Sequence, residues 1–167
     1  MEKTNIILIG MPGCGKSTVG VILAKVLGYA FVDTDLLIQQ REGARLEEII
    51  RRAGNEGFLE IEADVCSTLD VRRTVIATGG SAVYSPRAMQ HLKETGNVLY
   101  LKVSLDELSS RLNDLKERGV VLPEGTTLAE LYAERALLYE KYADAVVEEG
   151  PGGLEETVKK VKEVLAG

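Results

Sequence analysis

Gly10-Met11-Pro12-Gly13-Cys14-Gly15-Lys16-Ser17-Thr18 is the stretch that decides how this chain folds. It satisfies G-x-x-x-x-G-K-[ST], the phosphate-binding loop pattern, which carries meaning when a strand precedes it and a helix follows. Both flanks are present. Asn5-Ile6-Ile7-Leu8-Ile9 is a continuously apolar, β-branched run suited to a central strand of a parallel sheet. Beyond the loop, Val19, Ile22, Leu23, Val26 and Leu27 recur at helical spacing up to the C-terminal stop Gly28. Glycines let successive backbone N–H groups point inward at phosphate oxygens, and the following helix adds the positive end of its dipole. Gly13, Cys14, Gly15, Lys16, Ser17 and Thr18 are therefore expected to hold the phosphates of a nucleoside triphosphate. Lys16 is expected to reach the β- and γ-phosphates, and Ser17 to offer its hydroxyl to Mg²⁺. Cys14 serves as a small loop residue binding through its backbone.

Outward from the loop, strands alternate with helices. Ala30 to Val32 reads as a second strand running into Asp33-Thr34-Asp35; residues 74–77 form a third, ending at Thr78-Gly79-Gly80-Ser81; residues 98–103 and 145–147 form a fourth and a fifth. Leu46, Ile49 and Ile50 mark a short helix, and Phe58, Ile61, Val65 and Leu69 a separate apolar stripe after Gly57. Pro86 opens a further helix, and residues 105–115, 128–142 and 154–165 supply three more. This order predicts an α/β fold: right-handed crossovers, a mostly parallel sheet and helices on both faces, in one domain spanning 1–167. Between Arg118 and Thr127 the periodicity lapses into a Gly- and Pro-containing loop placed to act as a lid.

Bulk properties narrow the function. With 167 residues, 45% hydrophobic and 28% charged, the chain has the profile of one globular enzyme domain. A net charge of −6 disfavours nucleic acid as a partner. No apolar run approaches the roughly 20 residues that cross a bilayer, so a cytoplasmic protein with no membrane partner is expected. Two cysteines, Cys14 and Cys66, make no disulfide framework. His91 has no second histidine to form a metal site, Glu47-Glu48 and Glu148-Glu149 read as solvated faces, and Tyr132, Tyr139 and Tyr142 read as core packing.

A phosphate loop alone does not separate kinases from motors, switches or transporters. Asp33 and Asp35 lie at the C-terminal end of the second strand, where open α/β sheets place ligands. In extended chain, positions i and i+2 face the same way, so one carboxylate could hold a magnesium-bound water and the other orient an acceptor hydroxyl. An aspartate before a helix is also a common N-cap, and the residues alone leave both readings open. No N-K-x-D segment supports a GTPase switch. A single arginine in residues 118–127 argues against a second phosphate on the acceptor, as a nucleoside monophosphate kinase would need.

Over nearly its whole length the chain resembles the shikimate kinase family. The phosphate loop, Phe31-Val32-Asp33-Thr34-Asp35, Thr78-Gly79-Gly80 and Glu134-Arg135-Ala136-Leu137-Leu138-Tyr139 follow in the family's order. The resemblance implies a five-stranded parallel sheet in the order 2-3-1-4-5, an acceptor region over about 33–69 and a lid over about 116–127. It implies transfer of the γ-phosphoryl of ATP to a ring hydroxyl of shikimate. Asp35 would contact the acceptor hydroxyls and take the proton, Asp33 would support Mg²⁺, and the Gly79-Gly80 backbone would approach the acceptor. Arg111 matches the position against adenine, Arg118 the lid arginine on the transferring phosphate, and Arg135 the late substrate-binding arginine. The chain departs from the pattern in three places. Leu59, in Phe58-Leu59-Glu60-Ile61-Glu62, stands where F-R-x-x-E has the arginine that clamps the acceptor carboxylate; Ser81 replaces a third glycine; Arg118-Gly119 replaces Arg-Pro. Losing a bidentate guanidinium removes charge-assisted bonds of about 1.5–3 kcal/mol each. Weak use of shikimate is thus expected, with better use of a small hydroxylated acceptor such as a sugar acid or amino-alcohol, by a monomeric enzyme.

Overall fold

The computed structural model describes residues 2–117 and 125–167. Its strands are β1 (Asn5–Ile9), β2 (Ala30–Asp33), β3 (Thr74–Ala77), β4 (Gly96–Lys102) and β5 (Ala145–Glu148), all paired in parallel in the order β2-β3-β1-β4-β5. Every residue of β1 is buried, because the strand is central and its sheet covered on both faces, as its unbroken apolar run predicts.

The helices are α1 (Lys16–Leu27), α2 (Thr34–Glu42), α3 (Leu46–Ser67), α4 (Pro86–Thr95), α5 (Leu105–Glu117), α6 (Leu128–Tyr142) and α7 (Gly153–Ala166), with a 3₁₀ turn at Ala82–Tyr84. α1 packs on β2 and β3 and against α7, while α4 and α6 pack on β4. One large apolar cluster joins the sheet to α1, α4 and α6, and a smaller one of Ile38, Ile49, Phe58 and Val65 joins α2 to α3. That second cluster seats the expected acceptor region on the sheet. Among the described residues no helix is long and apolar enough to cross a membrane.

The two apolar stripes expected on either side of Gly57 lie on two helical segments of α3 that break at Gly54 (φ 76°, ψ 174°), a conformation open essentially to glycine. One local expectation is corrected: the extended i, i+2 geometry predicted for Asp33 and Asp35 is absent. Asp33 ends β2 and caps α2, accepting the N–H groups of Asp35 (2.9 Å) and Leu36 (3.3 Å), while Asp35 already lies in the first helical turn. The cap satisfies two of the backbone donors that a helix start leaves unpaired.

Candidate active site

The register aligns Leu8 of β1, Asp33 of β2 and Ala77 of β3 in one row across the sheet. The three segments leaving that row, the phosphate loop, the start of α2 and Thr78-Gly79-Gly80-Ser81, therefore converge at the C-terminal edge of the strands. This is where parallel sheets bind ligands.

In the loop, Gly15 caps α1 with φ 90°, and the turn directs backbone N–H groups toward one point. Lys16, only 7% exposed, donates to the carbonyl oxygens of Gly10 (2.7 Å) and Met11 (3.0 Å), which hold its ammonium against the loop. The Ser17 hydroxyl donates to Asp33 Oδ2 at 2.6 Å. Asp33 thus ties the loop to α2 through both carboxylate oxygens. Cys14 is fully buried within the loop, and burial pushes its thiol pKa up. Arg111 donates to the Gly13 carbonyl at 2.7 Å and to Glu107 at 3.0 Å, which places it at the outer rim of the loop. Glu149 also faces Arg111, 3.9 Å away. Its side chain is 6% exposed and Oε2 has no hydrogen-bond partner among the described residues, so the solvated reading of that glutamate is corrected.

Between α3 and the segment that follows β3 lies a cleft of about 390 Å³, with Leu59, Glu62, Ser81, Tyr84 and Arg87 in its wall. Glu62 is 1% exposed. Its Oε1 accepts from the Ser81 hydroxyl at 2.5 Å, and its Oε2 has no hydrogen-bond partner among the described residues. Oε2 and Asp35 Oδ1 both lie within 2.6 Å of the point a Cβ on Gly79 would occupy. Only glycine fits between them. Burial raises the Asp35 pKa to about 6, with the Asp33 charge adding to it and Lys16 opposing it. Burial likewise raises Glu62 to about 7, with the Asp35 charge adding to it; the Ser81 bond and the charges of Arg135 and Lys16 oppose the shift.

Arg135, 6% exposed on α6, lies against the glycine segment after β3. Its Nε donates to the Tyr84 hydroxyl at 3.4 Å, and its Nη1 lies 2.7 Å from where a Cβ on Gly80 would stand. Tyr139, one turn on, donates its hydroxyl to the Gly80 carbonyl at 2.7 Å and packs on Tyr100 with ring centroids 5.0 Å apart. The tyrosine read as core packing is core, and it also fixes the glycine segment. Arg87 lines the cleft but is already engaged by Glu60 (2.7 Å), Asp64 (3.8 Å) and the Ser67 hydroxyl (3.0 Å).

The structure thus brings together Gly13, Cys14, Gly15, Lys16, Ser17, Thr18, Asp33, Asp35, Leu59, Gly79, Gly80, Ser81 and Arg135, with Arg111 at the rim. Arg118 and most of the expected lid, residues 118–124, lie outside the described residues. Glu62 is a member of the site to which the sequence reading assigned no role, although it stands at the glutamate of the F-R-x-x-E pattern and is a charged residue inside an apolar helical stripe.

A parallel 2-3-1-4-5 sheet carrying a phosphate loop beside an acidic cleft defines the class of P-loop phosphotransferases. The comparisons give the family. The shikimate kinase family model matches residues 12–166. The chain is similar to a shikimate kinase of Nitrosospira multiformis (40% identical over 149 residues, 87% of this chain and 76% of the relative). It is similar to one of Geobacter sulfurreducens (42% over 147 residues, 86% and 80%). The structure of a shikimate kinase from Acinetobacter baumannii in complex with shikimate superimposes with a TM-score of 0.89 at 31% identity, covering 98% of this chain and 93% of that one. The chain belongs to the shikimate kinase family: an ATP-dependent small-molecule kinase that transfers the γ-phosphoryl group to an alcohol.

Proposed function

We propose that this single chain binds Mg·ATP in the phosphate loop and phosphorylates a small acceptor lodged between Asp35, Glu62, Ser81 and Arg135. The juxtaposition that carries this reading is the Ser17–Asp33–α2 connection, which sets the loop and Asp35 at one strand edge. Ser17 Oγ and Asp33 Oδ2 are two hard oxygen donors in contact, the donor chemistry Mg²⁺ takes when phosphates and water complete its shell. Mg²⁺ held there would neutralise charge on the β- and γ-phosphates. Backbone N–H groups of residues 13–18 bind the phosphates, and the Lys16 ammonium stabilises the negative charge on the transferring group. Asp35, with its raised pKa, orients the acceptor hydroxyl and takes its proton as the new P–O bond forms and the bond to the ADP oxygen breaks. Arg111 at the rim faces the nucleotide, and the family resemblance supports Arg118 on the transferring phosphate.

The lining of the cleft supports an acceptor other than shikimate. Leu59 contributes no donor, and Arg87, the arginine on its wall, is bound by Glu60 and Asp64. Among the described residues Arg135, beside Gly80 and Tyr84, is left to grip a carboxylate. The test is Lys16→Ala. Transfer should fall by about 100-fold or more with an unchanged far-UV circular dichroism spectrum; near-normal turnover by a folded variant would remove the assignment.

A further inference from the structure

Glu62 is a buried carboxylate of the acceptor cleft whose free oxygen faces a second carboxylate. Oε2 and Asp35 Oδ1 flank the Gly79 Cα, both within 2.6 Å of the same point, so they are no further apart than twice that distance. Neither residue has a lysine or arginine nitrogen within the 4.0 Å of an ion pair among the described residues. Two carboxylates held this way without a cation repel each other and bear an uncompensated desolvation cost, and a positive group between them relieves both. Leu59, in the wall beside Glu62, supplies an alkyl group. The cleft is short of one positive charge.

Resting on the kinase reading above, we propose that the acceptor itself supplies that charge: it is a small hydroxylated amino acid whose ammonium pairs with Glu62 and whose carboxylate pairs with Arg135. The acidic pair crowds Gly79, and Arg135 Nη1 crowds its neighbour Gly80, so charges of both signs meet one short glycine segment. An α-amino acid carries an ammonium and a carboxylate on one carbon, the pairing of charges that such a segment would meet, with its hydroxylated side chain left for Asp35. The Ser81 hydroxyl, which takes the place of a third glycine, holds Glu62 by Oε1 and leaves Oε2 toward the acceptor. A divalent metal is a poorer occupant, since no group of three or more metal-binding side chains gathers among the described residues.

The experiment measures ADP release with matched pairs of acceptors: L-homoserine against 4-hydroxybutyrate and L-serine against 3-hydroxypropionate, which differ by the ammonium, together with shikimate and D-gluconate. At least one amino acid should show kcat/KM ten-fold or more above its deaminated partner and above shikimate. Glu62→Gln should cut that ratio to about two-fold or less, chiefly by raising KM for the amino acid. Equal or better use of the deaminated partner, or of shikimate or gluconate, overturns the inference and leaves the kinase reading standing. Retention of the ratio in a folded Glu62→Gln overturns the assignment of the ammonium to Glu62. No phosphorylation of any acceptor by a protein that still binds ATP overturns both. The matched pairs read the wild-type enzyme, so the inference remains testable if Glu62→Gln does not fold.

Discussion

On the proposed reading Leu59 turns a shared chemistry toward a different acceptor, and a single substitution should turn part of it back. Leu59→Arg places a guanidinium on the cleft wall; it should raise kcat/KM for shikimate about ten-fold or more, mainly through KM, in steady-state kinetics. Gly79→Ala tests the acidic pair from the other side. A methyl group there would push apart Asp35 and Glu62, so kcat/KM for every acceptor should fall at least about 100-fold while ATP affinity, measured by titration calorimetry, changes less than about three-fold. Much of this site could be read from the residues. Lys16, Ser17, Asp33 and Asp35 stand in short motifs whose spacing is set by the geometry of phosphates and strand ends. The roles of Glu62 and Tyr139 could not be read so directly, because each acts through a contact across the fold, with Ser81 and Gly80, that the local pattern around it does not name.

Among the elements, the kink in α3 has the clearest energetic consequence. Gly54 adopts a backbone conformation that a Cβ disfavours, and a Cβ there would meet nothing, so the cost of Gly54→Ala is conformational alone. It should destabilise the protein by about 1–3 kcal/mol in urea denaturation, with the m-value unchanged. The apolar stripes on either side of the kink were legible in the sequence. So was the break between them, where Gly54-Asn55-Glu56-Gly57 interrupts the pattern. α2 was hidden, because its start coincides with the aspartate motif, and a carboxylate that caps a helix looks in sequence like one that serves a site. Asp33 does both, joining Ser17 with one oxygen and the helix with the other.

For the molecule as a whole, the acidic cleft sets how stability responds to pH. Glu62 moves from an ordinary 4.5 to about 7 on folding and Asp35 from 3.8 to about 6, both raised chiefly by burial. A raised folded pKa means that the native state holds its proton more tightly than the unfolded chain. The associated stability is complete below about 4 and is lost as pH rises through about 7. Thermal melts of the ligand-free protein should therefore show a falling Tm between pH 5 and 8, and Glu62→Gln should flatten that slope and stabilise the protein at pH 8 by on the order of 3 kcal/mol. The strand order was open to inference through resemblance, whereas the pairing register depends on contacts between distant segments. That same order governs how the protein is made. β1 delivers the phosphate loop within the first 18 residues, yet its two neighbours are β3 and β4, whose chain ends at Lys102. As the chain emerges from the ribosome, its nucleotide-binding segment must wait until β4 has been made before it can settle between its partners. The earliest part of the active site to be synthesised is thus among the last to become competent.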